Sequence, residues 1–140
     1  MSFTLHPALQ KDCVEITKFP LCRVLLMNDS QFPWLILVPE RENISEIHQL
    51  CTDDQQQLMR ESSYLSEQLV NLYHADKMNI AALGNMVPQL HIHHVVRYKN
   101  DKAWPAPIWG KFGAVVYVQR ELDNRVNELR EKLTNALILK

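Results

Sequence analysis

The stretch TDDQQQLMRESSYLSEQLVNLYHA, Thr52 to Ala75, constrains the fold more than any other. Leu58, Leu65, Leu69 and Tyr73 recur in it at helical spacing. Thr52 is a good N-cap, and Asp53 and Asp54 fall in the first turn, where the helix dipole favours acids. A helix of this length with one apolar stripe needs a surface to lay it on. The flanking sequence supplies a sheet. CRVLLM (Cys22–Met27) and WLILVP (Trp34–Pro39) are short apolar runs separated by the turn-forming NDSQFP, which predicts a hairpin closed by Pro39. RENISEIHQL reads as a loop with one helical turn. MNIAAL (Met78–Leu83) and QLHIHHVVRY (Gln89–Tyr98) predict two more strands around the turn GNMVP. KNDKAWPAPIWGKFG is then an excursion bearing Pro and Trp, and RELDNRVNELREKLTNALI is a polar, amphipathic C-terminal helix. The N-terminal arm can add strand or helix. This order predicts an α+β domain: a mostly antiparallel sheet, one long central helix and a C-terminal helix, with the helices on one face.

The 140 residues suit a single domain spanning 1–140. Only three glycines occur, all after residue 83, too few for the many tight turns of an all-β barrel. The net charge of −1 gives no electrostatic reason to expect a nucleic-acid polymer or an anionic membrane as partner. A small phosphorylated ligand is compatible with it, because such a ligand needs only local donors. No apolar run approaches the ~20 residues that span a bilayer. The opening MSFTLHPALQKD lacks the basic start and long apolar stretch of a signal peptide. Cys13, Cys22 and Cys51 are odd in number and none forms a C-x-x-C pair, as expected of free thiols in the cytoplasm. Cys22, inside PLCRVLLM, reads as a core thiol.

The chemistry concentrates in PQLHIHHVVRY. Side chains alternate across a strand, so Gln89, His91, His93 and Val95 share one face. Leu90, Ile92, His94 and Val96 share the other, which faces the core and makes His94 a packed histidine. Three readings of the polar row stand side by side. It can be an exposed strand surface. It can be a metal site, which needs a third and usually a fourth ligand beyond His91 and His93. It can be a histidine nucleophile with neighbouring donors. Spacing alone does not separate the last two.

The surrounding residues NIAALGNMVPQLHIHHVVRY resemble the histidine triad (HIT) family, whose signature alternates histidines with apolar residues after a Gly-Asn or Gly-Gln turn. Gly84, Asn85 and Val87 match that turn, His91 and His93 match the second and third histidines, and Arg97 falls on the trailing arginine. VLLMNDSQFPWLILVPER is similar to the family's nucleotide-binding hairpin. Two departures stand out: Gln89 occupies the first triad position, and His94 and Val96 stand where an aliphatic residue and a proline are frequent. The resemblance implies a nucleotide-binding hydrolase or nucleotidyltransferase. It would act at the α-phosphorus of a nucleoside phosphoramidate or dinucleoside polyphosphate, with no required cofactor or metal. His91 would be the nucleophile, its second ring nitrogen held by a backbone carbonyl. His93 would donate to the phosphate or leaving oxygen. Gln89 would hydrogen-bond the phosphate or leaving group without shuttling a proton. Asn28, with Asp29 as its neighbour, implies a ribose contact; Asn79 and Asn85 imply contacts near the phosphates. Trp104 and Trp109 are expected to pack. The family also implies a homodimer. The alternatives are a HIT-like nucleotide binder with little turnover and a metalloprotein built on the His91/His93 pair.

Overall fold

A computed structural model describes residues 3–134 and 139. The arm supplies both kinds of element, a short helix α1 (Pro7–Asp12) and strand β1 (Cys13–Lys18). Then follow β2 (Cys22–Met27), β3 (Trp34–Pro39), a 3-10 turn at Ile47–Gln49, α2 (Thr52–Tyr73), β4 (Lys77–Ala81), β5 (Ile92–Arg97) and α3 (Gln119–Leu133). The five strands form one antiparallel sheet in the order β1-β2-β3-β5-β4. The α+β architecture read from the sequence is the observed one.

The hairpin falls on the residues expected of it, because two apolar runs flank a turn and pair from Cys22–Pro39 to Leu26–Leu35. One sheet face carries Val24, Leu26, Leu35, Leu37, Ile92 and Val96. Leu58, Leu65 and Leu69 of α2 and Val126, Leu129 and Leu133 of α3 bury against it. Each such leucine contributes about 1.5–3 kcal/mol of burial.

Three expectations need correction. Thr52 is the first helical residue rather than the cap: the Gln55 N–H bonds the Cys51 carbonyl, so Cys51 holds the cap position. The helices do not all lie on one face, since Leu9 of α1 packs with Leu25, Ile36 and Val38 on the opposite one. The strand predicted from Gln89 begins only at Ile92, because its ladder partners run out: β3 reaches it at Leu37↔Ile92 and β4 at Ala81↔His93. The Leu90 N–H bonds the Ile44 carbonyl instead. Among the described residues, no helix is long and apolar enough to cross a membrane.

Candidate active site

The sheet face opposite the long helix carries the polar row. His93 lies on β5 opposite Ile36 and Ala81. His91 precedes the strand by one residue, and its ring meets that of His93 edge-on at 4.9 Å between centroids. Both side chains are buried.

The two rings are held differently. Nδ1 of His91 lies 2.7 Å from the Gln89 carbonyl. A carbonyl only accepts, so Nδ1 carries the proton and Nε2 keeps its lone pair. Nδ1 of His93 accepts the indole N–H of Trp34 at 2.9 Å. Its proton therefore sits on Nε2 when the ring is neutral, and burial, reinforced by neighbouring His91 and His94, lowers its pKa to about 3. His91 thus presents a lone pair and His93 an N–H. Among the described residues, no hydrogen bond takes up either Nε2.

An aromatic wall continues from His93. Trp109 meets it at 5.6 Å and Trp34 at 6.4 Å. Trp34 and Trp109, with Phe32 and Ile108, border a cavity of about 450 Å³ that Asn28 and Asp29 also line. That volume is in the range of small-ligand sites. The Asn28 Oδ1 accepts the Tyr117 N–H at 3.0 Å. Asp29 is buried, and its Oδ1 accepts from both the backbone and side chain of Gln31.

The other expected site residues are distributed around this centre. The Gln89 amide reaches the N-terminal arm: Oε1 accepts the His6 N–H and Nε2 donates to the Thr4 carbonyl, each at 2.9 Å. The Asn79 Oδ1 accepts from Arg97 at 2.7 Å. Asn85 lies exposed on the turn before the histidines. His94, on the opposite face, is the packed histidine expected there. It donates from Nδ1 to the Ile92 carbonyl and accepts the Ser62 hydroxyl at Nε2, 2.7 Å away. Cys22 is fully buried, and burial followed by the Glu61 carboxylate pushes its thiol pKa up, as suits a core thiol.

Sequence reasoning missed one contributor, Trp34, and gave Arg97 only as a motif match, without its role. Trp34 fixes the His93 tautomer, yet it reads only as a strand aromatic. Arg97 is almost fully buried and forms a bidentate pair with Asp101, and it also donates to the Ala106 carbonyl. Asp101 in turn accepts the backbone N–H groups of Tyr98, Ala103 and Trp104, and the Arg97 pair with these donors holds its pKa at about 2. This network ties the loop that carries Trp104 and Trp109 to the sheet. The Arg-x-x-x-Asp spacing of 97 and 101 was the available signal. A metal centre would need a third ligand, and among the described residues no three of His, Cys, Asp and Glu come together as a ligand set.

Residues 8–100 match the family model described as HIT domain. Among solved structures, the chain is similar to a histidine triad protein from Marinobacter aquaeolei VT8, at 48% identity over 97% of this chain and 99% of that one, with a TM-score of 0.94. Histidine triad proteins from Bradyrhizobium japonicum (42% identity, 95% and 99% covered, TM-score 0.91) and Sinorhizobium meliloti 1021 (40%, 94% and 97%, 0.90) are also similar. No curated protein matches the chain.

Proposed function

This chain belongs to the histidine triad (HIT) family, and from that premise we propose that it binds a nucleotide and hydrolyses or transfers its nucleotidyl group through a covalent intermediate on His91. The observation that carries this reading is the opposed pair of tautomers: a lone pair on His91 Nε2 beside an N–H on His93 Nε2. His91 attacks the α-phosphorus of a nucleoside phosphoramidate or dinucleoside polyphosphate. The bond to the leaving group breaks, and the leaving atom departs with the electron pair and takes up a proton from solvent water. The nucleotidyl-imidazolium so formed carries positive charge, which its Nδ1–H shares with the Gln89 carbonyl. His93 donates to a phosphate oxygen and, being hard to protonate, stays a neutral donor. Water or a second acceptor then attacks phosphorus, gives up its proton to solvent as the P–N bond breaks, and frees the His91 lone pair.

The nucleoside occupies the aromatic cavity, with Asn28 or Asp29 toward the ribose. Asp29 has one carboxylate oxygen outside its Gln31 bonds, which suits it to accept from a sugar hydroxyl. Asn85, exposed on the preceding turn, is available to the phosphates. Asn79 acts through its bond to Arg97. The homodimer belongs to the same proposal: β4 is an edge strand with Ile80 and, just beyond it, Leu83 exposed, and an apolar edge of that kind favours pairing with a second copy. The unpaired thiols of Cys13, Cys22 and Cys51 suit the cytoplasm.

The test is a rapid quench with labelled adenosine phosphoramidate under mildly alkaline conditions. Wild type should carry the label, and His91→Gly should not. Label on the variant overturns the assignment. A wild type that binds a nucleoside monophosphate yet takes no label and turns nothing over points to the binding protein with little catalysis. Light scattering at micromolar concentration that returns a monomer removes the dimer.

A further inference from the structure

We infer that the N-terminal arm positions His91, and that Gln89 is the positioning residue through which it does so. The inference rests on the reading of His91 as nucleophile. Among the described residues, 82–91, between β4 and β5, belong to no ladder. His91 closes this loop, so strand pairing does not aim its imidazole. What aims it is the Gln89 carbonyl on Nδ1, and a loop carbonyl needs an anchor of its own.

The structure supplies two anchors. The peptide joining Gln89 to Leu90 is held on its N–H side by the Ile44 carbonyl at 2.9 Å. Gln89 itself is held by its side chain. Its amide accepts from His6 and donates to Thr4, main-chain groups two residues apart and more than 80 positions away in sequence. A primary amide carries acceptor and donor on adjacent atoms, so one side chain can answer an N–H and a C=O together. A neutral imidazole also has one donor and one acceptor, but its two nitrogens point away from each other across the ring, so it does not present both to neighbouring main-chain groups on one side. The arm is fixed in turn by apolar contacts, since Phe3 and Leu5 pack with Leu25, Ile36 and Val38, as does Val87 from the loop itself. Arm, amide, carbonyl and His91 ring form one continuous chain of contacts. The glutamine that departs from the family's first histidine therefore need not meet substrate to matter. Its side chain reads the arm and its carbonyl sets the nucleophile's tautomer.

The test separates the His6 N–H from the His6 ring. His6→Pro removes the N–H donor, and the native φ of −56° lies within proline's range. His6→Asn keeps the N–H and a capping side chain. Gln89→Leu removes both arm bonds at similar volume and covers the case in which His6→Pro fails to fold. Long-range ¹H–¹⁵N spectra of the histidine rings are recorded on the full chain without ligand, with the His91 signal assigned by its loss in His91→Gly. Wild type and His6→Asn should show His91 as the Nδ1–H tautomer alone. His6→Pro and Gln89→Leu should show a mixture. With an adenosine phosphoramidate, the same two variants should lose about tenfold in kcat, the low end for losing a group that orients a functional histidine, while KM stays within about twofold because the aromatic cavity is untouched. A His91 that remains purely Nδ1–H in a folded His6→Pro or Gln89→Leu overturns the inference, even if activity falls. Mixed tautomers in the variants of a protein that turns over no nucleotide sustain the positioning role and overturn the proposed function instead.

Discussion

His93 and His94 are neighbours on one strand, both buried, and burial holds both below the ordinary imidazole pKa, at about 3 and about 4. They nevertheless do different work. His94 points at α2 and is saturated, with the Ile92 carbonyl on one nitrogen and the Ser62 hydroxyl on the other. His93 points at the opposite face, where Trp34 takes one nitrogen and the aromatic wall leads from the ring to a cavity. His91 shares that face, with the Gln89 carbonyl on Nδ1. The difference teaches that desolvation alone does not make a histidine chemical. What matters is which partner holds Nδ1 and whether protein or open space meets Nε2.

The comparison can be broken in four ways, taken from the largest expected effect down. His91→Gly should lower turnover by about 10³-fold or more, as expected for loss of a nucleophile. Steady-state kinetics check this, and a loss under tenfold would place His91 with His94 as a packing residue. Trp34→Phe keeps the aromatic wall but removes the N–H on His93. It should cost about 10–100-fold in kcat, the range for losing a group that orients a functional histidine, and ring ¹⁵N shifts should show His93 released from its single tautomer. Ser62→Ala acts on the helix face. It leaves His94 Nε2 a buried acceptor without its hydroxyl, so it should lower unfolding free energy by about 1–3 kcal/mol in urea titration while kcat stays within about twofold. If kcat instead falls as far as with Trp34→Phe, the two faces are coupled.

The smallest effect is on pH. The folded-state pKa values of His93 and His94 lie below the ordinary 6.5, so between there and their folded values the unfolded chain binds more protons. Their stability contribution is complete above about 6.5 and is lost as pH falls through about 4 for His94 and about 3 for His93. Asp101, whose pKa is held at about 2, adds its own loss only below the ordinary carboxylate value of 3.8. Urea midpoints should therefore decline already between pH 6.5 and 4.5. Replacing His94 with Gln should flatten that decline, and an unchanged slope would mean that His94 is not held neutral by the core.

Period and composition were enough to determine much of the protein. Alternation across QLHIHHVVRY separated His91 and His93 from His94, the leucine stripe fixed α2, and two apolar runs around NDSQFP fixed the hairpin, because these patterns are local and burial acts on them directly. The histidines with Gly84, Asn85 and Val87 also carried the family likeness. Other features were decided only in three dimensions. Trp34 lies 59 positions from His93, Thr4 lies 85 from Gln89, and Ser62 lies 32 from His94. A hydrogen-bond partner is chosen by distance and angle once the chain is folded, and no periodicity encodes a pairing across that separation. For the same reason β5 could not be bounded in advance: a strand ends where its neighbours stop, and Leu37 and Ala81 belong to other segments. The sequence supplied imidazoles on one face of a strand, and the tertiary contacts decided which nitrogen of each is held.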